Sequence, residues 1–136
     1  MNRPILLGYQ ILIGLSDTLT GALLIIAPEF ALGLMRLHPP ADALPFLSLI
    51  GAFVLSVGLA CLYGALVMAR KGCPRKLEIV WLLTAFTRAS VAIVLLTQIL
   101  AHTLEAGWLT VCIYDGACVL IQAIGLRKGW LAHVAR

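Results

Sequence analysis

Residues 79–100, IVWLLTAFTRASVAIVLLTQIL, are long and apolar enough to cross a bilayer, yet Arg88 sits near the middle of the stretch. About 20 helical residues cover the ~30 Å hydrocarbon core. A guanidinium at that depth costs roughly 2.5–3.5 kcal/mol on insertion scales, and far more in simulations of an isolated helix. The rest of the chain must therefore bring acidic partners to the same level.

Composition places the whole chain in the same setting. Of its 136 residues, 62% are hydrophobic and 12% charged, against about 45–50% and 25% in soluble domains. One integral membrane domain, 1–136, is expected at this length. The net charge of +4 does not point to nucleic acid. Its basic residues flank apolar runs, and no aromatics interleave with them.

The pattern predicts an all-α fold, a four-transmembrane-helix bundle with helices over 4–27, 46–69, 77–101 and 108–126. A secretory leader is the competing reading of the start, with Arg3, an apolar run and Ala27. The run over 5–27 exceeds an ordinary leader core, so a retained first helix is expected. A short interfacial amphipathic segment follows over 28–38. Phe30, Ala31, Leu34 and Leu37 form one stripe, with Glu29, Gly33 and Arg36 away from it. His38, Pro39 and Pro40 stop it. Gly14 and Gly21, and again Gly51 and Gly58, stand one heptad apart, so a neighbouring helix can approach closely. Gly72 and Pro74 are expected to break the basic turn ARKGCPRK at 69–76. The tail, 130–136, is expected on the membrane surface.

Charge distribution sets the orientation. With the N-terminus inside, the inner segments hold Arg3, Arg70, Lys71, Arg75, Lys76, Arg127, Lys128 and Arg136, with Glu78 as their acid. The outer ones hold Arg36 against Glu29, Asp42 and Glu105. Both termini are thus expected in the cytoplasm. This decisive bias argues against a small dual-topology multidrug transporter, which inserts both ways.

Two more acids fall inside the spans. Counted from the inner ends, Asp17, Arg88 and Asp115 all lie roughly 16–20 Å deep at 1.5 Å per residue. Asp17 shares its helical face with Gln10 and Thr20, Arg88 with Trp81 and Thr84, and Asp115 with Cys112 and Gln122. These six neighbours are the candidate lining of a pocket around the charges. Two carboxylates can share one guanidinium through its fork of donors. The formal sum is one negative charge, balanced by a proton, a ligand or a cation.

Nothing else in the chain suggests chemistry. Cys61, Cys73, Cys112 and Cys118 contain no pair separated by two residues, and three of them sit in apolar runs as small hydrophobes. His38, His102 and His133 lack metal-ligand spacing. No catalytic triad spacing, phosphate loop or zinc-binding HExxH occurs. No catalytic or metal residue is assigned, and the cofactor is left unspecified.

The segments GLSDTLTGALLIIAPEF, PFLSLIGAFVLSVGL and YDGACVLIQAIGL, with an arginine in the third span, resemble the small bacterial DoxX-like four-helix membrane proteins. The resemblance covers most of the chain. It implies a four-helix bundle in a bacterial cytoplasmic (inner) membrane. Some members are subunits linked to quinone-dependent oxidoreductases, and others are assembly or accessory factors. The expected function is a non-catalytic accessory subunit, associated with other membrane subunits or with itself, whose Asp17, Arg88 and Asp115 fix helix register. The alternative is a protein or enzyme binding a lipid, quinone or other amphiphile around that cluster. Proton- or ion-coupled transport is a third reading.

Overall fold

A computed structural model describes residues 2–70 and 73–132. The expectations for Lys71, Gly72, and the tail from His133 to Arg136 lie outside the described residues. The chain forms α1 (Arg3–Ile26), α2 (Pro28–Gly33), α3 (Leu44–Ala69), α4 (Pro74–Leu100) and α5 (Leu109–Arg127), with 3-10 turns at Ala41–Ala43 and Ala106–Trp108. No strand occurs among the described residues. Four of these helices are long and apolar enough to cross a membrane, each 3-10 turn running on into the helix after it.

Proline marks helix starts. α1, α2, α3 and α4 each carry one at the first or second helical position. There the missing N–H would have had no intrahelical acceptor, and the ring presets φ. Pro74 therefore opens α4 instead of breaking the chain, and the third span begins three residues before the expected Leu77.

Helix ends follow a second rule. Leu37 N–H bonds to the Leu32 carbonyl and Arg36 N–H to that of Gly33, and Arg36 has φ +58°. This is the Schellman closure. Thr103 and His102 repeat it on the carbonyls of Gln98 and Ile99, with His102 at φ +56°. Trp130 and Gly129 repeat it after α5, with Gly129 at φ +62°. Only the third closure uses glycine at the left-handed position. An L side chain there costs roughly 1–2 kcal/mol. His102→Gly should therefore raise the unfolding free energy by about 1 kcal/mol, read from denaturant unfolding in detergent.

The early closure also revises the segment over 28–38. Its helix stops at Gly33. Ala31, Leu32 and Leu37 point into a core with Leu24 and Leu47, while Phe30 and Leu34 are exposed. The expected single stripe is split, because the left-handed turn at Arg36 rotates Leu37 back under the helix.

α1 and α3 pack antiparallel over most of their length, as do α4 and α5, while α3 and α4 meet less extensively. Without a hydrophobic drive between helices in lipid, close backbone approach carries such contacts. A Cβ on Gly21 would lie 2.4 Å from Leu55 N, and one on Gly58 2.4 Å from Thr18 N. Gly14 faces Leu62 and Gly51 faces the Gly21 carbonyl. Both glycine lines are used inside the chain, between α1 and α3. Arg3 fastens the same pair by donating from Nη2 to the carbonyls of Met68 and Ala69.

The two helix pairs converge at the basic end and part at the other. Leu6, Met68, Leu77, Trp81 and Leu131 close the basic end, with Trp130 against them. Leu12, Leu19, Phe86 and Ile113 are among the large apolar side chains exposed on the outer surface. That surface suits lipid.

Candidate functional site

Four elements of the sequence pattern converge at mid-height. Gly14 and Gly58 let α1 and α3 approach, which fixes Asp17 on the inner face of α1. Arg88 comes from α4 and Asp115 from α5. Arg88 donates from Nη2 to Oδ2 of Asp17 and from Nη1 to Oδ1 of Asp115. All three are buried, with Arg88 only 3% exposed. The fork of the guanidinium thus joins both helix pairs across the bundle.

Tyr114 completes the layer. Its hydroxyl donates to Oδ1 of Asp17 at 3.1 Å, and its ring lies 5.4 Å from Cζ of Arg88. The aromatic face adds a cation–π contact to the charge pairing. Tyr114 does not stand out in the sequence. The available signal was a phenol in mid-span, whose hydroxyl needs a partner when buried.

Asp17 has both carboxylate oxygens engaged, by Arg88 and by Tyr114. Asp115 differs. Its Oδ2 accepts no hydrogen bond among the described residues. That oxygen is not sealed within protein, unlike Arg88 Nε, which is buried without a partner.

Below this layer, toward the basic end, the expected pocket lining turns out to be packed. Gln10 Nε2 donates to the Cys61 carbonyl at 3.0 Å, and Trp81 Nε1 donates to Gln10 Oε1 at 2.8 Å. Gln122 Nε2 donates to Thr84 Oγ1 at 2.9 Å. These four residues are almost fully buried. They tie α1 to α3 and α4, and α5 to α4. On the other side of the charge layer, the Cys112 thiol bonds to the Ala92 carbonyl at 3.4 Å, between α5 and α4. Of the six proposed lining residues, only Thr20 borders the cavity. Helical spacing gave their common face correctly. It did not reveal that the basic end is filled and the other end open.

The opening is a cleft of about 990 Å³ on the far side of the charge layer. Asp17, Arg88, Asp115 and Tyr114 form its floor. Its walls come from α1, α3, α4 and α5, and the turns around Pro39 and Glu105 border its far end. The walls are mainly apolar, with Ile50, Val57, Val91 and Leu95 among them. Several wall residues are also exposed, including Phe46 at 69%, Phe53 at 68% and Val94 at 56%. The cleft therefore opens sideways, between the far halves of α3 and α4 and also where Ser16 and Thr20 of α1 and Thr110 of α5 are exposed, toward the space that lipid chains would occupy.

Among the described residues no group of three His, Cys, Asp or Glu side chains is placed to hold a metal. His38 borders the cleft, whereas His102 lies in the turn after α4. Neither a protein-family model, nor a curated protein, nor a solved structure matches the chain.

Proposed function

We propose that this protein binds an amphiphile inside the membrane, with the polar head against Asp17, Arg88 and Asp115 and the hydrocarbon tail along the cleft. The observation that carries this reading is a cleft of about 990 Å³ with apolar walls and a charged floor. That volume is at the upper end of ordinary ligand sites, ~300–1,000 Å³, which are mostly apolar with a few convergent polar groups. A register-fixing ion cluster needs no such space beside it. The positive-inside pattern puts the basic end, and with it both termini, in the cytoplasm. The cleft then occupies the outer half of the bilayer. The resemblance to DoxX-like proteins suggests a bacterial cytoplasmic membrane.

The accessory-subunit reading drew on the apolar outer faces and on the two glycine lines. The four glycines all lie in the contact between α1 and α3, so they supply no partner surface. Charge translocation finds little support, because the packed layer of Gln10, Trp81, Thr84 and Gln122 lies between the charges and the basic end.

Chain purified from native membranes should retain about one amphiphile per protein, detected by solvent extraction and mass spectrometry. Val57→Trp, which fills the cleft wall, should lose it while the fold is kept by circular dichroism. Equal recovery of the amphiphile from both proteins would overturn the reading.

A further inference from the structure

The charge layer also constrains which head group fits, given the binding function proposed above. Asp17 and Asp115 each neutralise Arg88 from one side. With both carboxylates ionised, the floor carries one excess negative charge. Glu105 adds another at the rim, and among the described residues no lysine or second arginine borders the cleft, His38 being its one other basic side chain. The guanidinium is already engaged: a carboxylate holds each terminal nitrogen, the Tyr114 ring lies over one face at 5.4 Å, and its Nε is sealed in protein. What the floor does offer is an acceptor. Asp115 Oδ2 has no partner among the described residues and is not sealed in protein.

We infer that the occupant is an amphiphile whose head donates a hydrogen bond and carries no negative charge, a primary ammonium on a hydrocarbon chain fitting best. The ammonium donates to Asp115 Oδ2 and cancels the excess charge, so the head and the three side chains together are neutral. Such a charge-assisted bond is about twice as strong as a neutral one. A hydroxyl head makes the same bond without the charge. A carboxylate or phosphate head meets an unpaired acceptor beside two carboxylates, with Arg88 already paired on both sides and no further Lys or Arg among the described residues of the cleft to offset the loss of its hydration.

Trp108 borders the cleft, whereas Trp81 and Trp130 lie at the basic end. It is a built-in reporter for a bromine at the tail end of a probe. The experiment uses the full chain in phosphatidylcholine nanodiscs at pH 7. Three twelve-carbon probes, each brominated at the chain terminus, carry an amine, an alcohol or a carboxylic acid. Quenching is taken as the difference from Trp108→Phe.

Amine should bind about tenfold more tightly than alcohol, and the acid should give no quenching above the Trp108→Phe background. Asp115→Asn should bring the amine to the level of the alcohol. Acid binding as tight as amine binding would overturn the head-group assignment and leave the amphiphile site standing. Absence of specific quenching by all three probes would overturn both. Because the comparison among probes is made on the wild-type chain, it holds even if Asp115→Asn does not fold.

Discussion

Arg88→Met is expected to destabilise the bundle by about 3–5 kcal/mol, the largest effect of any single side chain. The loss comes less from the attraction removed than from what is left behind. Asp17 and Asp115 would remain buried with no cation between them, and Tyr114 would lose the ring contact to Cζ. The triple replacement Asp17→Asn, Arg88→Met, Asp115→Asn should recover most of that loss, because the charges leave together. Unfolding curves in one detergent, for wild type, Arg88→Met and the triple variant, give this comparison. The triple variant separates fold from function. It should fold and yet retain no amphiphile. If it bound as wild type does, the charge layer would be a clamp alone.

Gly21→Ala comes next in size. The added Cβ would meet Leu55 N at 2.4 Å and the Gly51 carbonyl oxygen at 2.7 Å. Both are backbone atoms, so no rotamer change relieves the clash and the two helices must move apart. Overpacking of this kind costs about 1–3 kcal/mol. Gly8→Ala on the same helix is the control, since nothing lies within 4 Å of its Cβ position. Helix propensity alone then favours alanine by up to ~1 kcal/mol. Opposite signs for two identical substitutions on one helix would show that close approach, and not composition, holds α1 to α3. Equal effects would contradict that packing.

These two predictions rest on features of different legibility. The charge layer was readable because three ionisable residues in apolar runs fall at one depth, and hydrocarbon leaves them no other partner. The glycine lines were readable as close approaches, but not as which helices they joined. Gly21 and Gly51 face each other, and spacing along one helix says nothing about the helix opposite. Pro74 was misread because proline suits either a break or a first turn, and only the backbone decides. The cleft was the least legible feature. Gln10, Trp81 and Gln122 are as polar as a pocket lining should be, yet they bond to protein at the packed end, Trp81 to Gln10, Gln10 to the Cys61 carbonyl and Gln122 to Thr84. The cleft itself is walled by Ile50, Val57, Val91 and Leu95, residues indistinguishable in sequence from a lipid-facing surface. Whether such a face packs or stands open depends on how far the helix pairs diverge.

The most direct measurement is an experimental density map of the protein in a lipid nanodisc, inspected between α3 and α4 at the height of Arg88. The binding account predicts an elongated feature starting at Asp115 and running along Val91 and Ile50 toward Trp108. Contradiction would be α3 and α4 packed together at that height, with Val57 against Val91 and no space beside the three charges.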